Sequence, residues 1–382
     1  MRVGLVVYGN LEVVSGGNLY DRTLVANLTS AGHSVDVVSV PLRSYALNLA
    51  RNVSPGLRGR LAESSFHVLL QDELCHPSLF LLNRSLRRRV EAPLVSIVHH
   101  LRSSEERPEW QNDLYRAIEK RYLLSVDAFV FNSETTRQTV ESLLGKKTRS
   151  VVATPGGDRL PRSLDAADVV TRAVEEGELR ILFVGNLIPR KGLHHLLKAL
   201  HSLTGLTGLT GLTGLTGLTG LTGRQFRLDV VGSEEHDRRY AASVREQVRK
   251  LGLEGRVHFH GALAGETLEE RFRAAQLLAV PSSYEGFGIV YLEGMSFGLP
   301  VIASASGATD EIVRHESTGF LVPTGDVFCL ARRIESLIED RALLSQMSLA
   351  AYEAFEDHPG WEDSMRRIER FLVELHRDPR TR

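Results

Sequence analysis

Cysteine is scarce: only Cys75 and Cys329 occur in 382 residues, far apart and in no metal-ligand spacing. That excludes a disulfide framework or a zinc module and suits a reducing compartment, so the expected location is the cytoplasm. No run of about eighteen apolar residues exists, so no segment reads as membrane-spanning. Neither sign of charge is in excess: 46 Lys+Arg face 47 Asp+Glu, a net of −1, which argues against nucleic acid as the main partner. The opening MRVGLVVYGN has a short apolar run without a cleavage-like segment, and it reads as a first strand rather than a signal peptide. A G-x-x-x-x-G-K-[ST] loop is missing, which excludes P-loop chemistry, and without G-x-G-x-x-G dinucleotide binding is poorly supported. No D-x-D follows a strand, and no His/Asp/Glu cluster has ligand spacing. Neither a metal nor another cofactor is therefore expected.

What is present is strand–helix alternation, in two rounds. RVGLVVY, SVDVVSV, FHVLLQ, LVSIVHH and AFVFNS read as strands between helical or loop segments. After a mixed stretch near residues 155–178 the pattern restarts with RILFVGN, then GLHHLLKALHSL as a helix, RLDVVGS, a further helix, VHFHG, LLAVPS and LPVIAS. Alternation of this kind builds βαβ units and parallel sheets, and the length is too great for one ordinary core. The expected fold is α/β with two doubly wound domains, over 1–165 and 175–360, and a charged closing helix from about 361 to 382. Residues 203–223 are seven Leu-Thr-Gly triplets. A period of three fits neither strand nor helix, and seven glycines would each cost a helix about 0.8–1.0 kcal/mol. The array reads as an insertion tolerated in a surface loop, because doubling a loop's length costs only about 0.6 kcal/mol. The alternative is that its leucines pack.

The densest chemistry lies in PSSYEGFGIVYLEGMSFGLPVIAS. A strand runs into a loop holding Glu285, Gly-Phe-Gly allows close backbone approach, and a helix follows until Gly298. A glycine-lined helix start offers free N–H groups and a positive dipole end to a phosphate. Glu293, a turn further in, can accept from a pair of hydroxyls such as those of ribose, while Glu285 reaches whatever lies beyond the phosphates. GMSFG matches G-x-S-x-G, but a hydrolase elbow needs strand then helix and here the order is reversed. In FVGNLIPRKGLHHLL, Arg190 and Lys191 stand beside a helix start and could neutralise a diphosphate leaving group; a solvated turn is the alternative. Gly16 and Gly17 suit either a phosphate or a plain tight turn. His99 and His100 end a strand, where imidazoles face an expected cleft.

These segments, together with SGGNLYDRTLVANLTSAGHSVDVV, VFNSETTRQTV and STGFLVPTGD, resemble family 4 of the retaining glycosyltransferases, over nearly the whole chain except the triplets. The resemblance implies the GT-B architecture: two Rossmann-like domains facing across a cleft, the C-terminal one holding a nucleotide sugar, and the last helix returning to the N-terminal one. It implies that Glu293 binds the ribose and Glu285 the donor sugar. Arg190 and Lys191 would hold the diphosphate with backbone of Phe287, Gly288 and Ile289. Gly16 and Gly17 would approach from the other domain. A histidine ending the fourth N-terminal strand would line the reacting centre, with His100 preferred over His99, and the base would lie against backbone near Val257 and Phe259. Configuration would be retained without a metal, by front-side attack. Asn186 stands where many members carry arginine, which removes one phosphate cation. The implied partners are a nucleotide-sugar donor and a glycan, lipid-linked or small-molecule acceptor. Arg84, Arg87, Arg88 and Arg89 would favour an anionic surface, so a peripheral place at the inner face of the plasma membrane stands beside a merely solvated helix face. Two other activities compete: a sugar-nucleotide 2-epimerase-like isomerase, and a non-catalytic nucleotide-sugar-binding protein.

Overall fold

Runs of β-branched and leucine residues, apolar on both sides, suit strands covered by helices on both faces. In the computed structural model they form two six-stranded sheets. The structure describes residues 1–13, 15–161, 164–205 and 225–378. These fall into two units, Met1–Gly156 with Pro359–Arg382, and Gly157–His358. The change of unit comes at Gly156, inside the mixed stretch between the two rounds of strands.

The N-terminal unit holds β1 (Arg2–Tyr8), β2 (Ser34–Val40), β3 (Val68–Asp72), β4 (Leu94–Val98), β5 (Ala128–Phe131) and β6 (Ser150–Val152). Their order is β2-β1-β3-β4-β5-β6 and every pairing is parallel. The closing helix Trp361–Arg377 belongs to this unit. Its Trp361, Met365, Ile368, Leu372 and Leu375 recur at helical spacing and are buried. Trp361 meets Tyr20 of the helix Gly16–Ser30 edge-on, with ring centres 5.9 Å apart.

The C-terminal unit holds β7 (Leu179–Val184), β8 (Phe226–Val231), β9 (Val257–Gly261), β10 (Leu277–Val280), β11 (Val301–Ser304) and β12 (Gly319–Val322). These are parallel too, in the order β12-β11-β10-β7-β8-β9. The helix Leu193–Ser202 shows why the local sequence folds as it does. Leu193, Leu196, Leu197 and Leu200 form one stripe, all fully buried, and each contributes about 1.5–3 kcal/mol. Of the triplet array, residues 203–205 are described: Leu203 continues this stripe into the core. The remaining triplets lie outside the described residues.

In each sheet the strand order reverses beside the first strand. The reversal falls between β1 and β3 in one unit and between β7 and β10 in the other. Loops leaving neighbouring strands there diverge, and the crevice outside their C-terminal ends is where doubly wound sheets take ligands.

Candidate active site

In the C-terminal unit the two loops at the reversal are 185–192, after β7, and 281–288, after β10. They are laced together by backbone. The Ser283 amide donates to the Arg190 carbonyl at 2.8 Å, and Arg190 Nη1 donates to the Tyr284 carbonyl at 2.5 Å. Gly192 has φ +71°, and a Cβ there would fall 2.1 Å from the Pro281 carbonyl oxygen. Only glycine allows both that turn and that approach. The third support is the segment after β11: the Ala308 amide donates to the Glu285 carbonyl at 2.9 Å, and Ser306 Oγ to the Ser283 carbonyl at 2.7 Å.

Together these contacts bring Glu285, Lys191 and Arg190 to one point. Glu285 is buried, 6% exposed. Its Oε1 accepts from Lys191 Nζ and from Ser282 Oγ at 2.6 Å, and its Oε2 lies 3.4 Å from Arg190 Nη1. Burial pushes the carboxyl pKa up, but Lys191 and Arg190 outweigh it and hold it at about 2. Burial also pulls Lys191 below the usual ammonium range, with Glu285 opposing. Two cations to one carboxylate keep the cluster ionised at neutral pH. Sequence reasoning set Glu285 towards whatever lies beyond the phosphates and gave it no ion pair with the cations. The structure makes it their counterion, because the backbone lacing places both loops on one spot.

Two glycines, Gly286 and Gly288, follow Glu285 on the way to the second carboxylate. Gly288, with φ 103°, opens the helix Ile289–Ser296, and no side chain caps that helix. A Cβ on Gly288 would fall 2.4 Å from Tyr291, whose hydroxyl is tied to the Val280 carbonyl at 2.9 Å. Phe287 is buried and Ile289 half-buried, so of these three residues it is the backbone that borders the helix start.

Glu293, in the second turn of that helix, is 4% exposed. Its Oε1 accepts from Arg159 Nε at 2.8 Å and lies 2.6 Å from Arg159 Nη2. Burial raises its pKa and Arg159 opposes the rise. Arg159 was missed by sequence reasoning, and its only local signal was its place behind the glycine pair in PGGDR. Asn186 turns to His236, with Nδ2 3.4 Å from Nε2. Val257 opens β9 and is buried in the core, four residues before Gly261, which pairs level with Val231 at the strands' C-terminal ends. Phe259 lies under the Arg245 guanidinium, 4.3 Å from its ring centre. Ser296 is buried at the end of its helix, and its hydroxyl donates to the Glu293 carbonyl at 2.7 Å. It is no hydrolase elbow, since β11 follows that helix instead of leading into it.

In the N-terminal unit, Gly16 and Gly17 are the first residues of a helix rather than a loop before it. Ser15 caps that helix by accepting from the Asn18 amide at 3.1 Å. A Cβ on Gly17 would lie 3.2 Å from His99 Cδ2. His99 therefore packs against Gly17, whereas the sequence resemblance preferred His100 for the reacting centre. His100 turns away to Glu105, with Nε2 2.8 Å from Oε1, and Glu105 also holds Arg107. His99 Nε2 lies 3.2 Å from Asp21 Oδ1, and its ring meets Tyr20 edge-on. Burial pulls its pKa down, but Asp21, Asp72 and Glu73 outweigh burial and raise it to about 9.

The fold also assembles what spacing did not show. Asp21, Asp72 and His99 form one group whose ligand atoms all lie within 4.8 Å, and Glu73, His76 and Glu119 form another. Burial pushes Asp72 and Glu73 up to about 7, with His99 lowering both and His100 and Arg102 also lowering Glu73. Asp21 and Asp72 thus already face a cationic His99 within the protein, and Glu73 has Arg102 as well.

A protein-family model, "Glycosyl transferases group 1", matches residues 168–354, the stretch that carries both carboxylates and both cations. Over that stretch the chain belongs to the group 1 glycosyl transferases. One relative in this group, a D-inositol 3-phosphate glycosyltransferase of Nocardia farcinica, is 31% identical over 69% of this chain and 58% of its own length. The chain spans about half the length of the curated relatives it matches. Among solved structures, sucrose-phosphate synthase from Thermosynechococcus elongatus matches with a TM-score of 0.80, at 22% identity over 98% of both chains. Anabaena HepE in complex with UDP-glucose matches at 0.74, with 19% identity over 98% of this chain and all of that one. These likenesses show the fold, the GT-B architecture of two α/β units. No helix among the described residues is long and apolar enough to cross a membrane.

Proposed function

We propose that the chain transfers a hexosyl group from a nucleoside diphosphate sugar to a hydroxyl acceptor, with retention of anomeric configuration and with protein cations in the role a metal plays elsewhere. The observation that carries this reading is the convergence of Lys191 and Arg190 on Glu285 at the strand-order reversal, one turn of loop from the uncapped helix start at Ile289. A pyrophosphate there meets two positive side chains and a helix N-terminus. Charge grows on that pyrophosphate as the sugar–oxygen bond breaks, and preorganised cations stabilise it without rearrangement. Glu293 supplies an acceptor for ribose hydroxyls. Glu285 exchanges part of its contact with the cations for hydroxyls of the sugar.

The acceptor oxygen attacks from the face the diphosphate leaves. The bond from the anomeric carbon to the phosphate oxygen breaks, the bond to the acceptor oxygen forms, and the acceptor's proton passes to the departing diphosphate. Within the N-terminal unit, His99 is held as a cation by Asp21 and is the hydrogen-bond donor that this unit offers to a sugar hydroxyl. The relatives named for inositol 3-phosphate and for phosphatidylinositol mannoside support a polyol or lipid-linked acceptor. Arg84, Arg88 and Arg89 are exposed and support a peripheral place at an anionic membrane from the cytoplasmic side, whereas Arg87 is engaged with Asp127 at 2.5 Å.

The test is incubation with a panel of nucleoside diphosphate hexoses while following nucleoside diphosphate release, then assignment of the product's anomeric proton by NMR. The expected product keeps the donor's α configuration. An inverted product overturns the mechanism. Conversion of donor to an epimer with no acceptor present would make the chain an isomerase.

A further inference from the structure

Arg159 does not belong to either loop of the site, yet it holds one of the two carboxylates on which the proposed function rests. Its segment lies flat against the helix Ile289–Ser296. A Cβ on Gly157 would fall 2.6 Å from Leu292 Cβ and 2.6 Å from Phe355 Cε2, so no larger residue fits there. Two residues on, Arg159 brings two nitrogens to one oxygen of Glu293, Nε at 2.8 Å and Nη2 at 2.6 Å. Both nitrogens of the planar fork meet the same oxygen, so Arg159 anchors Oε1 of the carboxylate with charge-assisted hydrogen bonds. The burial differs between the partners. Glu293 is 4% exposed while the Arg159 side chain is 33% exposed, so the arginine closes one side of the carboxylate and itself stays in water.

We infer that Arg159 is a positioning residue for the donor: it holds the Glu293 carboxylate ionised and anchored at Oε1 against the ribose hydroxyls of a nucleoside diphosphate. This rests on the proposed function for Glu293. Without the arginine a buried carboxylate gains a proton more readily, and a protonated Glu293 loses half its capacity to accept from a diol. A loss that depends on pH separates this role from mere packing.

The experiment is calorimetric titration of the full chain with ADP, CDP, GDP, TDP and UDP, at pH 6, 7 and 8.5, in two buffers of different ionisation enthalpy. For the nucleotide that binds best, Arg159→Met is expected to weaken binding on the order of 10- to 100-fold at pH 6 and clearly less at pH 8.5. Binding to this variant at pH 6 should release a proton to the buffer. Arg159→Lys should recover part of the affinity and remove most of the pH dependence, and it keeps the test open should the methionine variant fold poorly. The double variant with Glu293→Gln should bind no more weakly than Glu293→Gln alone. Wild-type affinity in Arg159→Met at every pH overturns the inference, as does a loss equal at every pH without proton release. If Glu293→Gln binds like the wild type, or the wild type binds none of the five nucleotides, the proposed site itself fails. Weakening by Glu293→Gln with Arg159→Met unaffected sinks this inference alone.

Discussion

Replacing Lys191 by methionine removes the nearer of the two cations on Glu285 while keeping most of the side chain's volume. The cost follows from the burial of the carboxylate. Glu285 is 6% exposed, and its pKa of about 2, against an ordinary value of 4.5, is worth roughly 3 kcal/mol to the folded state at neutral pH. Breaking a buried pair by removing one partner costs a similar amount, about 3–5 kcal/mol. Lys191→Met should therefore lower the stability of the C-terminal unit by about 3 kcal/mol, and Glu285→Gln should cost a comparable amount by leaving Lys191 buried without its counter-charge. The double variant should regain about 2 kcal/mol or more of the summed losses, because neither orphan charge remains. The assay is hydrogen exchange on peptides covering β7 and β10 in all four proteins, which reads this unit without mixing in the other. The pH dependence has a fixed sign. The folded pKa of Glu285 is depressed, so its contribution is complete above pH 4.5 and is lost as pH falls towards 2. Strict additivity of the two single losses would refute the buried pair.

Other outcomes follow from the same geometry. Lys191→Met should also cut turnover on the order of 10²–10³, read from nucleoside diphosphate release, since one preorganised charge stabiliser is gone. His99→Asn should lower turnover more than His100→Asn, because His99 packs against Gly17. The stability that His99 gives the folded N-terminal unit should be complete below pH 6.5 and disappear as pH rises through about 9, measured as the melting difference from His99→Asn. Glu73 gives the same direction with pH but as a penalty: burial raises its pKa to about 7, and the adjoining His76 is kept neutral by burial, its own pKa pulled down to about 4. Glu73→Gln should thus raise the melting temperature at pH 8 and change it little at pH 5. Shortening the Leu-Thr-Gly array after its first triplet should leave turnover within a few-fold, and an inactive but folded deletion would show that the array acts in the reaction.

The alternation of strands and helices was legible because most strands are short runs rich in β-branched residues and leucine, and helices such as Leu193–Ser202 carry an apolar stripe. β6, only three residues long, and β12, set between the turn residues of STGFLVPTGD, were not read as strands. The motif around Glu285 and Glu293 could be read from glycines and flanking strands, because close approach and left-handed turns demand glycine locally. The choice between His99 and His100 could not be read. Neighbours on a strand point to opposite faces, but β4 is buried on both, so the pattern carries no mark of which face is which. Arg159 escaped for another reason: it lies 134 residues from the carboxylate it holds, and nothing local in PGGDR specifies a partner so distant. The counterion role of Glu285 likewise arises from two loops 94 residues apart, laced through backbone groups that every residue has.

The central claim is tested most directly by titrating the wild type and Lys191→Met with the nucleoside diphosphate that binds best and with its parent nucleoside. The account predicts that the diphosphate binds the wild type in a one-to-one ratio, that Lys191→Met weakens it by about tenfold or more, and that the nucleoside binds both proteins equally weakly. Equal affinity of the two proteins for the diphosphate would contradict it.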